Sequence, residues 1–129
     1  MEFNLDIGAS HTIELTVRQE HTARTFGSGA VDVYATPCMI LHMEAACATA
    51  VQDGLPEGWS SVGTVVNIEH TAATPVGMSI RVTAKLTRID GRRLVFNVEA
   101  FDDRGQIGRG VHERFVVDIE RFMERANRK

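Results

Sequence analysis

The sequence predicts an α+β fold in which one antiparallel sheet packs against a single long helix, and three observations predict it. Residues 37–52 are apolar on nearly every side, as a helix enclosed by the rest of a domain would be. Residues 11–17 alternate, with Ile13, Leu15 and Val17 on one side and Thr12, Glu14 and Thr16 on the other, the pattern of a half-buried strand. Beyond about residue 60 the chain is β-like almost to its end, broken by turn signals at Asp90-Gly91 and Asp103-Arg104-Gly105.

Taken in order, the first strand gives way to the small residues Thr25-Phe26-Gly27-Ser28-Gly29, which read as a loop. The helix starts at Ala35-Thr36-Pro37. A threonine suits the N-cap, where its hydroxyl accepts an early backbone N–H, and a proline at the first helical position gives up no hydrogen bond. Ala45, Ala46, Ala48 and Ala50 leave room for a sheet to approach, and Asp53-Gly54 closes the run. After the loop Leu55-Pro56-Glu57-Gly58, strands are expected at 61–71 and 79–89. Ile80, Val82, Ala84 and Leu86 then mark one buried face, and Leu94, Phe96, Val98 and Ala100 resume it after the Asp90-Gly91 turn. A last strand at 107–118 precedes a short amphipathic helix at 119–128 anchored by Phe122. The expected order is strand, long helix and four strands in hairpin succession, a curved sheet wrapped around one central helix, which is the hotdog layout. Its long edge strand must be covered, and a two-fold homodimer that joins two sheets is the common way to cover it.

The 129 residues are expected to form a single domain, residues 1–129, with 43% hydrophobic and 24% charged residues. Those fractions exclude a disordered, collagen-like or disulfide-scaffold chain. A net charge of -3 without a basic run longer than Arg92-Arg93 gives no footprint for nucleic acid or an anionic membrane. Cys38 and Cys47 stand nine residues apart on opposite helix faces and cannot pair. No apolar run follows Met1-Glu2-Phe3-Asn4, and no stretch approaches the ~20 residues of a membrane span, so a cytoplasmic, reduced setting is expected.

A few residues do not fit a plain core. Glu44 projects from the apolar helix, where a buried carboxylate needs a partner or a task; a locally exposed edge or a dimer interface also explains it. His70 closes the row Val62, Thr64, Val66, Ile68 and so faces the helix, as a catalytic imidazole or as a hydrogen-bonded core histidine. Thr36, about 12 Å of helical rise from Glu44, borders the same cleft or serves only as a cap. Gly63 marks either a bulge or a backbone N–H open to an oxyanion. Cys38 and His42, four apart on one face, form a weaker nucleophile–base pair. The five histidines have no metal-ligand spacing, and the glycines of residues 105–110 lie within a hairpin, where no phosphate loop belongs.

Together the residues Ala35-Thr36, Met39, Met43-Glu44, Ala46-Cys47, Gly63-Thr64, His70-Thr71-Ala72-Ala73-Thr74-Pro75, Gly91-Arg92-Arg93-Leu94, Ile107-Gly108, Gly110 and His112-Glu113-Arg114 carry a resemblance to the fluoroacetyl-CoA thioesterase-like family, a hotdog-fold group, over about residues 35–118. The resemblance implies a catalytic set of Thr36, Glu44 and His70, an oxyanion donor at Gly63, and Arg114 near the acyl-CoA site. One departure concerns the acyl group. The fluoroacetyl-specific enzyme has phenylalanines that form a lid upstream of its threonine, whereas this chain reads Gly27-Ser28-Gly29-Ala30, with Phe26 or Tyr34 only a partial substitute.

The expected activity is hydrolysis of an acyl-CoA thioester with Glu44 as nucleophile or general base, His70 assisting proton transfer and Thr36 orienting. Arg114 pairs with a CoA phosphate, with a carboxylate in the site, or in a surface or interface salt bridge. No cofactor is expected, because CoA is part of the substrate, and no metal. Hydration of an enoyl thioester and non-catalytic binding of acyl-CoA remain as alternatives.

Overall fold

The computed structural model describes residues 3–129; Met1 and Glu2, part of the stretch read above for a leader, lie outside the described residues. The elements are β1 (Ser10–Thr16), a 3-10 turn (Gln19–His21), α1 (Ala23–Phe26), α2 (Thr36–Gln52), β2 (Trp59–His70), β3 (Ser79–Asp90), β4 (Arg93–Asp102), β5 (Gly105–Asp118) and α3 (Ile119–Asn127). The strands form one antiparallel sheet in the order β1-β3-β4-β5-β2, and α2 packs on β1 to β4. This is the hotdog arrangement. Part of the expected loop at 25–29 closes the short turn of α1 instead, with Gly27 as its left-handed C-cap at φ 73°.

The alternation read in β3 and β4 is realised: Ile80, Val82, Ala84 and Leu86 face α2 together with Leu94, Phe96, Val98 and Ala100, all buried. Met39, Met43, Ala46, Cys47 and Val51 of α2 meet them. Ile13 and Leu15 of β1 pack at the margin of this core, and Val17 just beyond the strand is buried within it.

Three expectations are corrected. First, the four later strands are not in hairpin succession: β2 pairs with β5 at the far edge, and only β3, β4 and β5 form a meander. The eight residues between β2 and β3 are too many for a tight hairpin. They are tied down along another path, Thr71 N–H to the Ile107 carbonyl and Gly77 N–H to the Val17 carbonyl, which delivers the chain to the β1 side.

Second, the row from Val62 to His70 does not lie on one face. The register with β5 shifts between Gly63 and Val65, so the chain bulges at Thr64 and the alternation inverts there. Before the bulge Val62 turns outward, lining a groove with Trp59, Phe115 and Phe122, while Ser61 and Gly63 face α2. After it, Ile68 and His70 face α2, so the inference for His70 holds although the row that suggested it is broken.

Third, α2 is apolar all round but is covered on one side only. Leu41 is 54% exposed and Ala45 is exposed, alongside an open stretch of β2 in which Val65 and Val66 are 42% and 47% exposed. Phe122 leans over the outer sheet face as the expected anchor of α3, but keeps 40% of its surface accessible.

Glycines in β5 let its neighbours close up. A Cβ at Gly110 would run into the Asn67 carbonyl and the Ile68 Cα of β2. Gly110→Ala must therefore push β2 away, and a loss of about 2 kcal/mol is expected, as for other overpacked sites. Urea denaturation at fixed protein concentration checks it; an unchanged midpoint contradicts the close approach.

Candidate active site

The segments leading into α2 and out of β2 are fixed by backbone hydrogen bonds. Tyr34 N–H donates to the Thr74 carbonyl at 2.8 Å, Ala35 N–H to the His21 carbonyl at 2.9 Å, and Thr71 N–H to the Ile107 carbonyl at 2.7 Å. The buried Thr74 hydroxyl donates to the Asp102 carboxylate at 2.8 Å, which fixes the segment following His70. Here the N-cap expectation is corrected: Ala35 occupies that position without a side-chain cap, and Thr36 and Pro37 are the first helical residues. The Thr36 hydroxyl is engaged elsewhere, with Oγ1 2.8 Å from His70 Nδ1. The other ring nitrogen, Nε2, is buried and has no hydrogen-bond partner among the described residues. Burial lowers the His70 pKa from its ordinary value, which favours a neutral ring near pH 7.

A second cluster forms where α2 crosses β2 and β5. Arg114 is buried, and its donors are placed: Nε to Ser61 Oγ and Nη2 to the Ser61 carbonyl, both at 2.8 Å, and Nη1 to His112 Nε2 at 3.2 Å. His112, fully buried, hydrogen-bonds through Nδ1 to the Val65 carbonyl at 2.8 Å. Since a carbonyl only accepts, Nδ1 carries the proton and Nε2 is the acceptor for Arg114. Burial lowers the pKa of His112, consistent with this neutral tautomer. Glu44 Oε2 lies 3.9 Å from Arg114 Nη1, with the Glu44 side chain 38% exposed. Gly63 sits against the same carboxylate: a Cβ there would be 2.8 Å from Glu44 Oε2 and 3.1 Å from His112 Cε1. The glycine thus marks both a bulge and a close approach.

Within one chain, then, the structure brings Thr36 to His70, and Glu44 to Gly63 and Arg114, but leaves the two groups about 12 Å apart along the helix. Sequence reasoning overlooked Ser61 and the function of His112, although His112 shares the parity of Arg114 in β5 and so had to share its face. It also missed the anchoring of Tyr34, whose hydroxyl bonds His42 Nδ1 and whose ring meets His70 edge-on at 6.4 Å between centroids. The Cys38–His42 pair is poorly suited to attack. Burial pushes the thiol pKa up, and the His42 nitrogen nearest the sulfur, at 4.0 Å, is engaged by Tyr34. No group of three His, Cys, Asp or Glu side chains able to hold a metal occurs among the described residues, and no helix there is long and apolar enough to cross a membrane.

A cavity of about 350 Å³ opens against Thr36 and His70, its lining shared by Ala23, Val31, Val33, Tyr34, Ala72 and Ala73.

Comparison with known proteins assigns this architecture. Residues 17–120 match the family model described as fluoroacetyl-CoA-specific thioesterase. The fluoroacetyl-CoA thioesterase of Streptantibioticus cattleyicolor is 43% identical over 98 residues, 76% of this chain and 70% of that protein. A solved fluoroacetyl-CoA thioesterase structure superposes with a TM-score of 0.91 at 36% identity, covering 97% of each chain. A Thermus thermophilus protein of the thioesterase superfamily gives 0.88 at 32% identity, covering 95% of this chain and 91% of that one. Fold and relatives together define a thioester hydrolase of the hotdog class. Within that class, the chain belongs to the fluoroacetyl-CoA-specific thioesterase family.

Burial lowers the pKa of His42, His70 and His112 alike. The unfolded chain takes up these protons near pH 6.5, the folded chain only at lower pH. The stability gained by keeping the rings neutral is thus present above about pH 6.5 and lost as pH falls through the folded values. A falling urea midpoint between pH 7.5 and 5.5 is expected, with histidine NMR titrations of these three rings below 6.5. Midpoints independent of pH and rings titrating above 6.5 contradict it.

Proposed function

We propose that the protein hydrolyses acyl-CoA thioesters with Thr36, Glu44 and His70 as its catalytic set, in a site completed by a second copy of the chain. The observation that carries this reading is the His70 ring itself: it stands at the wall of a cavity, Thr36 orients it through Nδ1, and its buried Nε2 has no hydrogen-bond partner among the described residues. An unmet buried polar atom is costly unless a substrate or water supplies its partner.

The uncovered surface supports the second copy. Leu41 and Ala45 on α2 stand exposed on the same face as Val66, with Val65 exposed on the other face, beside a strand whose backbone is unpaired on one side. A two-fold axis crossing β2 between Val66 and Asn67, midway from Gly63 to His70, runs the two edges antiparallel. The Gly63 end of one strand then lies beside the His70 end of the other. Glu44, Gly63 and Arg114 of one copy thereby approach Thr36 and His70 of the partner subunit, closing a gap that a single chain leaves open.

In that composite site Glu44 takes the proton of the water that attacks the thioester carbonyl carbon, or attacks that carbon itself to give a mixed anhydride that water then cleaves, releasing the acid and restoring the carboxylate. The C–S bond breaks, and the sulfur leaves as the thiol after receiving a proton relayed by His70. Thr36 holds Nδ1, so Nε2 is the relaying atom. The Gly63 N–H serves as oxyanion donor at the bulge, and the Arg114 guanidinium, with its other donors occupied, is the countercharge for Glu44. Water and thioester are the only reactants, so CoA enters as part of the substrate.

Thiol release from a panel of acyl-CoAs tests the assignment. Glu44→Gln and His70→Ala are each expected to lower kcat by about 100-fold or more, the size of a lost acid–base group, with the melting temperature preserved. Full activity in Glu44→Gln removes the nucleophile or base role. Loss of enoyl absorbance without thiol release makes the protein a hydratase, and saturable binding without turnover makes it a binding module.

A further inference from the structure

Building on the thioesterase reading, we propose that the preferred acyl group is uncharged and bulkier than a two-carbon unit: a branched, medium-length or aromatic group of about five to seven carbons. The cavity beside Thr36 and His70 is the place where the acyl portion of a thioester attacked there must lie. In the single chain, before a second copy closes the site, it is an open cleft of about 350 Å³, at the lower end of small-ligand sites. A methyl group takes up little more than the ~30 Å³ share of one water molecule, so an acetyl group leaves most of this space to solvent.

The lining is uncharged and built largely of small side chains. Ala23, Val31, Val33, Ala72 and Ala73 supply small apolar walls beside Ser28 and Thr71, and among the described residues no Asp, Glu, Lys or Arg lines the cavity. The nearest charged pair in sequence, Arg24 and Asp32, is engaged with itself through Nε–Oδ1 at 2.9 Å. An acyl group ending in a carboxylate finds no countercharge here, and its desolvation is unpaid. The walls are also held open. Tyr34 is locked by His42, and the segment after His70 is tied through Thr74 to both Tyr34 and Asp102, so the cavity cannot easily collapse around a small group.

Each additional buried methylene favours binding by about fourfold. Three or more are expected to give at least a tenfold advantage in kcat/KM after losses to imperfect packing. Gly29 lies on the cavity rim outside the left-handed region, and a Cβ there meets only Ala23 Cβ at 3.4 Å, so a side chain can be introduced to fill the space.

The test is thiol release from acetyl-, isovaleryl-, hexanoyl-, benzoyl- and succinyl-CoA by the wild-type protein, Gly29→Phe and, at a second lining position, Ala73→Leu. Wild type is expected to favour at least one of the isovaleryl, hexanoyl and benzoyl substrates over both acetyl and succinyl by tenfold or more. The filled variants are expected to shift that ratio at least tenfold toward acetyl, a ratio that a general loss of activity does not move. Equal use of acetyl and larger groups, or a preference for succinyl, overturns the proposal while leaving the thioesterase reading intact. No release from any member of the panel overturns the thioesterase reading itself.

Discussion

A guanidinium buried between a helix and a sheet is tolerable only if its donors are met, and in this fold the Arg114 side chain imposes that requirement on everything around it. Ser61 supplies both its hydroxyl and its carbonyl, and His112 supplies a ring nitrogen whose tautomer is set by the Val65 carbonyl on the other side of the bulge. Leaving such a charge unpaired costs several kcal/mol. The bulge at Thr64, the lack of a side chain at Gly63 and the position of Glu44 on α2 are therefore parts of one arrangement, in which a carboxylate is kept beside a positive charge at the surface of an apolar helix.

The hydroxyl and imidazole at the other end of β2 obey a different constraint. They are placed by the backbone pairing of Val33 and Tyr34 with Thr74 and Pro75 and by the bond of Thr71 N–H to the Ile107 carbonyl, and the Tyr34 ring, fixed by His42, packs against His70. Neither cluster needs the other in order to form. The two clusters stand apart in one chain, and the proposed pairing with a second copy is what would bring them together.

Much of this was legible in the sequence because it rests on short-range patterns. The alternation of β3 and β4, the turns at Asp90-Gly91 and Asp103-Arg104-Gly105 and the long helix follow from periods of 2 and 3.6 and from residues with special backbone preferences. What escaped depends on contacts distant in sequence. The pairing of β2 with β5 rather than β3 is decided across some fifty residues, as between Gly63 and Arg114. The bulge depends on what lies behind it, and one inserted residue reversed the facing of Val62 and Thr64. Thr36 read as an N-cap because local propensity favours that role, whereas a histidine 34 residues later engages its hydroxyl. Glu44 and His70 stood out from composition against an apolar background; His112 did not, because nothing nearby in sequence shows that Arg114 needs an acceptor.

The composite site is tested most directly by mixing two inactive variants, Glu44→Gln and His70→Ala, after unfolding and refolding them together. Random pairing makes half of the dimers mixed, each with one intact site, so activity is expected to return to about one quarter of the wild-type value. Mixed dimers that form, as shown by native mass spectrometry, but remain inactive would contradict a site shared between two copies.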